Sequence, residues 1–491
     1  MKEEVLRLSR VTCLEHGAKE LNHFSLSLFA GEIMGLIPVN GTGLPTLLRL
    51  LRQNVAMHYG YVYYRERLVN QWQHADMSYN RISVIGGQSE LADNLTVADN
   101  VFVLRTGFRK RVIHRRVLRR QLTPFLTDIG VRISADAYPR SLSHFERFVI
   151  ELVKAVVAGN RLIILLDAGA IVSAGELSKL HEILRHYAAK GISFLYVSQH
   201  YEEVRQVCGR AALMVNGQIA KILSTEDTGP SMIHGFGVDE YERLVLTQKE
   251  RHVPRNQAAP ALSFDGLYYG AIAGLTLSVA PGECLVVQDL DNQILDDLVE
   301  VATWQHRPAR GAIRVLGKRP GRRDVAVIQK LATQSMLFPE LSYLDNLCFM
   351  MDHRLPRVWL NTKPKQSIRH EYAAWLGADV FDKSVDELTQ AQQYDLIYAR
   401  ILLQRPRAVI CVQPFMQADV ELRMHIWRLL ERLLQKQIAV VILAVNLADS
   451  LSLADRLAQV RGGCVVSTIT RDEFRNLPQS TPWHHLWKEE K

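Results

Sequence analysis

The chain has 491 residues, room for about two to four domains at roughly 100–200 residues each. Charged residues make up 22% and hydrophobic residues 48%, globular proportions that exclude wholesale disorder and a coiled coil. The net charge of +8 permits anionic partners without naming one; no apolar run approaches the ~20 residues of a membrane span, and the first residues lack the apolar core of a signal peptide, so a soluble, cytoplasmic protein is expected.

The segment GEIMGLIPVNGTGLPTLLRLL (31–51) reads as a strand, a glycine loop and the start of a helix, the setting of a phosphate-binding P-loop. Such a loop closes backbone N–H groups on phosphate with glycines, reaches the β/γ-phosphates with a Lys, and holds Mg²⁺ through a Ser/Thr hydroxyl. Asn40, Gly41, Gly43 and Thr46 fit that pattern, but Leu44 stands at the Lys, Pro45 at the metal-binding hydroxyl and Pro38 at the first glycine. Proline suits the first turn of a helix, so the loop is expected to keep its shape while losing its ligand chemistry.

Further along, residues 105–120 carry eight basic residues and no acid. They read as a solvated helix face with Phe108, Val112, Ile113, Val117 and Leu118 on its buried side, or as a grip on membrane headgroups or nucleic acid. RLIILLD (161–167) and ISFLYVS (192–198) have the near-continuous apolar content of strands covered on both faces. GELSKLHEILRHYAAK (175–190) between them has helical periodicity, completing a βαβ unit. The second half repeats the unit as AVICV, ELRMHIWRLLERLLQK and IAVVILAV. The fold class is α/β with a mostly parallel sheet, twice over.

The duplication extends to single residues. Gly31-Glu32 recurs as Gly282-Glu283, 251 residues on. Leu95 and Asp99-Asn100 recur as Leu341 and Asp345-Asn346, Leu142-Ser143 as Leu388-Thr389, and Arg210 as Arg456, all 246 residues on. The chain therefore divides into a first domain at 1–240, a linker at 241–257 and a second domain at 258–491. The six cysteines are widely spaced, which argues against a zinc cluster or a disulfide framework.

The order of these segments resembles that of ABC transporter ATPases: a P-loop, an LTV-type segment, a signature-like LSHFE, a Walker B strand and a strand ending at a switch position. Residues 419–463 resemble the second cassette of the ribose, xylose and galactose importer ATP-binding subunits. The resemblance covers nearly the whole chain. It implies two tandem P-loop NTPase-like domains, each a mostly parallel sheet with helices on both faces plus a helical subdomain. It also implies ATP and Mg as cofactors, a sugar-transporter membrane permease as partner, with or without another ATP-binding subunit, and a place on the inner face of the cell membrane. A nucleic-acid partner is disfavoured.

Carried over residue by residue, the resemblance also exposes losses. Walker B of this family ends in an Asp for Mg²⁺ followed by a Glu that acts as general base. Here the pairs are Asp167-Ala168 and Val412-Gln413, so Asp167 is the candidate metal ligand and the base positions hold Ala168 and Gln413. No catalytic residue is expected, and loss of a base typically costs ~10²–10⁴ in rate. Ser143 and Thr389 keep the hydroxyl of the signature, whereas Phe145 and Glu146 add bulk and charge. The switch His position reads Gln199, with His200 one residue late, and Asn446 in the second half. Gln88 and Gln334 lie near the Q-loop position. The second loop, VQDLDNQILDDL (287–298), has no glycine or Lys and four aspartates. The expectation is a pseudo-ATPase that regulates or senses on a membrane partner. The alternatives are a working ATP-binding subunit that energises sugar import, and a soluble nucleic-acid-associated tandem ABC protein. The tail PWHHLWKEEK reads as a helix on the second domain, or as a metal or partner tail.

Overall fold

The computed structural model describes residues 3–15, 18–53, 57–69, 82–87, 89–103, 114–224, 259–321, 323–351 and 362–477. Gln88, the expected linker, the basic residues before His114 and the tail at 482–491 lie outside them. The chain divides into two compact units, Met1–Asp239 and Glu240–Lys491.

The first unit runs β1 (Glu4–Glu15), β2 (Ala18–Phe29), β3 (Ile33–Pro38), α1 (Leu44–Gln53), β4 (Tyr59–Tyr64), β5 (Arg67–Leu68), β6 (Ile82–Ile85), α2 (Val97–Phe102) and α3 (Arg115–Asp128). It continues with α4 (His144–Val157), β7 (Leu162–Leu166), α5 (Ala168–Ile171), α6 (Ala174–Ala189), β8 (Ser193–Val197), α7 (Tyr201–Val207), β9 (Arg210–Val215) and β10 (Gln218–Ser224). β2 alternates polar and apolar residues and keeps one face wet, as antiparallel strands do. It joins the sheet β2-β1-β4-β5. β3 and β8 are buried along their whole length. With β7 and β6 they form the parallel centre of a second sheet, ordered β10-β9-β3-β8-β7-β6, in which only the β9–β10 edge pair is antiparallel. The core between the two sheets and α1 is built from Leu8, Phe24, Leu26, Met34, Leu36, Leu47 and their neighbours.

The second unit repeats this with β11 (Leu262–Tyr269), β12 (Ile272–Val279), β13 (Cys284–Asp289), α8 (Leu295–Ala302), β14 (Arg310–Arg314), β15 (Val325–Ile328), α9 (Ala332–Ser335) and α10 (Tyr343–Cys348). α11 (Thr362–Leu376), α12 (Gln390–Gln404), β16 (Ala408–Val412), α13 (Val420–Gln435), β17 (Ala439–Ala444), β18 (Arg456–Arg461) and β19 (Cys464–Thr470) follow. Its six-stranded sheet, β15-β16-β17-β13-β18-β19, has the same connectivity as the first. The βαβ strands and helices stand within a residue or two of their expected bounds.

Polar contacts are duplicated with the sheets. Arg210 Nε donates to Glu32 at 2.5 Å and Arg456 Nε to Glu283 at 2.5 Å, and each guanidinium also reaches a β2- or β12-strand carbonyl, Ser27 or Ser278. Asn100 accepts the Ala92 N–H and donates to three carbonyls, while Asn346 does the same with Phe338, Leu341 and Ser342. Such buried side chains satisfy loop backbone that would otherwise lose its water.

α6 packs on β8 through His181, 2% exposed, whose Nε2 lies 3.3 Å from Tyr196 Oη. Tyr196 in turn donates to the buried Glu203, which also accepts the Ser198 hydroxyl at 2.9 Å. Burial, with Arg185 adding to it, pushes the His181 imidazole down to about 4. Unfolded histidine titrates near ~6.5, so the unfolded chain binds the extra proton first and the fold loses stability as pH falls from there towards the folded value. His181→Phe should remove this term. In thermal melts the parent should lose up to about 3 kcal/mol more than the variant between pH 7.5 and pH 4.5.

Candidate nucleotide-loop site

β3 delivers the first glycine loop to the carboxyl end of the parallel sheet, where open α/β sheets place their ligands. Gly43 has φ +82°, and a Cβ there would sit 2.2 Å from the Glu20 carbonyl, so the loop needs glycine at this point. Its N–H is not turned to open solvent: it donates to Glu20 Oε2 at 3.0 Å. Thr46, 4% exposed, donates its hydroxyl to Glu15 Oε2 at 3.1 Å, and Arg49 reaches the same oxygen at 2.8 Å. Asn40 Oδ1 accepts the Asn216 N–H at 3.0 Å, and its Nδ2 donates back to Asn216 Oδ1. Leu44 is half-buried against the core, while Gly41 and Pro45 are exposed. The loop keeps its turn, and two of its phosphate-facing donors end on carboxylates of β1 and β2. A phosphate brought here would meet Glu15 and Glu20 as like charges.

The second loop reaches the same end by another route. Asp289, the last residue of β13 and 1% exposed, accepts the N–H groups of Gln293 at 2.6 Å, Ile294 at 2.7 Å and Asp291 at 3.2 Å. Burial raises its carboxyl above the usual range, against the pull of these three amides. Asp291 accepts the Gly462 N–H at 2.7 Å, matching Asn40 with Asn216, and Asp297 accepts the Ala271 N–H at 2.6 Å. Gly43 and Ile294 are equivalent at the 251-residue spacing, so the same amide in each unit is held by a carboxylate of the chain itself.

At the end of β7, Asp167 has φ +46° and its N–H donates to the Val197 carbonyl at 2.9 Å. Gln413 has φ +45° and donates to Leu443 at 2.9 Å. These residues are 246 apart, as are their acceptors. The structure therefore pairs Asp167 with Gln413 and Leu166 with Val412. This corrects the expectation that Ala168 and Gln413 hold equivalent positions: Ala168 is fully buried and equates with Pro414. The strand ends in the first unit one residue earlier than the Asp-for-metal reading requires. No group of three or more His, Cys, Asp or Glu side chains placed to hold a metal occurs among the described residues.

Ser143 and Thr389 are both N-caps. The Ser143 hydroxyl accepts the Glu146 N–H at 3.1 Å while Glu146 Oε2 accepts the Ser143 N–H at 2.9 Å, and Thr389 and Gln392 form the same box. Glu146 is thus explained by capping and Phe145 by its own burial in the first turn of α4. At the switch, His200 caps α7 and equates with Asn446, whereas Gln199 equates with Val445; the expected Gln199–Asn446 equivalence is one residue out. The Gln199 Oε1 is buried with no hydrogen-bond partner. Gln334 lies exposed on α9. Of the basic run, Arg115, Arg116, Arg119 and Arg120 are exposed on α3, with Arg119 on Asp136 at 2.6 Å. Leu118 is buried as expected, but Val117 is 46% exposed because the buried stripe runs through Leu118, Leu122 and Leu126.

Glu15, Glu20, Asp289 and Glu203 were not legible as site residues. Glu20 lies 23 residues before Gly43 and meets it only through tertiary packing, where β2 lies against the β9–β10 turn and the Asn22 N–H donates to the Gly217 carbonyl at 3.0 Å. Asp289 did carry a signal, since the 251-residue spacing places it opposite Pro38, the loop's first position. Replacing Asp289 with Ala leaves three amides short of an acceptor and should lower stability by roughly 2–4 kcal/mol in denaturant unfolding, with faster amide exchange over 291–294. Asp289→Asn, which keeps one carbonyl acceptor, should fall between.

Residues 21–168 match the family described as ABC transporter. The ribose import ATP-binding protein RbsA of Halalkalibacterium halodurans is 24% identical, with 96% of this chain and 95% of that protein covered. The galactofuranose transporter ATP-binding protein YtfR of Escherichia coli O157:H7 is 22% identical, with 96% and 97% covered. A crystal structure of a nucleotide-free ATP-binding cassette from an ABC transporter aligns with 47% of this chain and 98% of its own at 19% identity and a TM-score of 0.42. With the duplicated sheet, the glycine loop after β3 and relatives along its full length, the chain is similar throughout to tandem-cassette ATP-binding subunits of ABC transporters.

Proposed function

We propose that the chain is the ATP-binding-subunit-like component of a sugar import system, and that it acts as a regulator or sensor on a membrane permease and not as the motor. The lineage rests on full-length relatives named for ribose and galactofuranose transport. The loss of the motor rests on one observation: the loop amide of each unit, Gly43 and Ile294, is already paired with a carboxylate. Mg-ATP does not fit such loops. The Lys that would reach its phosphates is Leu44, set against the core, and the one preserved hydroxyl, Thr46, is bonded to Glu15. Each charged hydrogen bond to phosphate that goes unmade costs roughly 1.5–3 kcal/mol of binding. The two domains of this reading are the cassettes at 1–240 and 258–491, working at the inner face of the membrane.

Titration calorimetry tests it. The purified protein should release no binding heat with Mg-ATP at micromolar to millimolar concentration, whereas Leu44→Lys/Pro45→Ser combined with Glu20→Ala should bind. Micromolar binding by the unmodified chain would end the pseudo-ATPase reading.

One observation favours a second reading. Asp167 stands at the position of Gln413, which the resemblance assigns to the base, so a carboxylate is present at that position in the first unit. If slow hydrolysis runs there, turnover in a coupled assay should drop at least ~10²-fold in Asp167→Asn, the scale of a lost general base.

A further inference from the structure

A cleft of about 730 Å³ opens in the first unit at the end of its parallel sheet opposite the glycine loop. Asn160 and Arg161 precede β7, Ile192 precedes β8 and Tyr64 closes β4, so the cleft lies where the strands begin, away from every nucleotide-loop residue. Its walls are apolar at Tyr64, Phe125 and Ile192, and its rim carries Arg65, Arg161, Lys190 and Asp128. That size and that mixture of apolar wall with a few polar groups are those of small-molecule sites.

Among the described residues the charges of the cleft do not cancel. Lys190 first and His186 at 2.9 Å hold the Asp128 carboxyl below its usual range, so this anion is already matched. Among the described residues Arg65 pairs only with Glu3 at 3.8 Å, with both side chains more than half exposed, which is a weak pair. Among the described residues the Arg161 side chain has no ion-pair or hydrogen-bond partner. Tyr187 lines the same cleft at 2% exposure, and its hydroxyl is buried with no partner. Burial pushes that phenol up to about 12, so it stays a donor at neutral pH. A buried hydroxyl without an acceptor is a cost that needs a reason. The fold itself does not ask for it: 246 residues on, the second unit builds the same corner with Leu433, fully buried, and Pro406 in place of Tyr187 and Asn160.

We propose that this cleft binds a small organic oxyanion, a carboxylate or phosphate monoester carried on an apolar body. Tyr187 Oη donates to the oxyanion, Arg161 and Arg65 balance its charge, and Tyr64, Phe125 and Ile192 cover the body. The site is separate from the loops and goes beyond the pseudo-ATPase reading, which stands or falls without it. Phenyl phosphate is the probe, titrated into the full chain by calorimetry. Saturable one-to-one binding is expected, with phenol at least tenfold weaker. Arg161→Met and Tyr187→Phe should each weaken it about tenfold, the scale of one charged hydrogen bond. Both variants should fold, since Arg161 is exposed and the Tyr187 hydroxyl has no hydrogen-bond partner among the described residues. No saturation at millimolar probe overturns the proposal, as does binding indifferent to both substitutions. Binding that strengthens in Leu44→Lys and ignores Arg161→Met places the anion on the glycine loop and overturns it too.

Discussion

A backbone N–H held away from water at the end of a buried strand must find an acceptor. In a loop that turns sharply from strand to helix, several such groups converge, and they favour negative charge. In this protein the acceptors belong to the chain. Glu20 reaches across from β2 to Gly43, and Asp289 folds back from the end of β13 onto Gln293 and Ile294. Because the amides are satisfied from within, each loop holds its turn without a bound anion. The same pairing sets the electrostatics that any phosphate would meet. The shape of the glycine loop is thus held by the chain's own carboxylates.

The two units show which contacts the architecture requires and which it leaves open. The Arg–Glu pair between the β9- or β18-strand and the strand turn before the central strand is present in both, and so is the Asn that ties its loop to four backbone groups. These contacts anchor the sheet, so they survive large divergence. The polar group behind the helix of the βαβ unit is solved twice in different ways. The first unit buries Glu203 among Tyr196, Ser198 and the Gly169 N–H. The second places Asp449 at the equivalent position against Arg423 at 2.9 Å, with both side chains almost fully buried. A buried ion pair adds little net stability over apolar packing, but removal of one partner strands the other. Either solution therefore resists single changes and tends to drift as a set.

The substitutions of the first unit form a consistent group. Loss of Lys at Leu44 frees the helix start to pack on the core, Pro45 is tolerated because a first-turn proline forfeits no helical bond, and Thr46 turns to Glu15. None of these residues is at odds with the fold, which is why the sheets and the turn of the loop are kept with them in place. The polar cleft at the other end of the same sheet is the opposite case, since Tyr187 keeps a buried hydroxyl that the fold does not use.

Period and spacing carried most of the architecture. Near-continuous apolar runs determined the parallel strands, because a strand covered on both faces needs no polar residue. The constant spacing between equivalent residues determined the duplication, and the residue types at the loop determined that the Lys and the metal-binding hydroxyl are replaced by Leu44 and Pro45. Single-residue alignment at strand ends was beyond sequence reading: Asp167 belongs with Gln413 because both take the same left-handed turn and bond the same neighbouring strand, a fact held in φ and in a cross-strand hydrogen bond. Val117 and Leu118 could not be sorted from a run with half its helix unseen, since the phase of a buried stripe needs more than one turn. The carboxylate that holds the first loop was decided only by tertiary structure. Hydrogen bonds between residues 23 apart, such as Gly43 to the Glu20 carboxylate, leave no periodic trace in a sequence and exist only once β2 packs against the β9–β10 turn beside the loop.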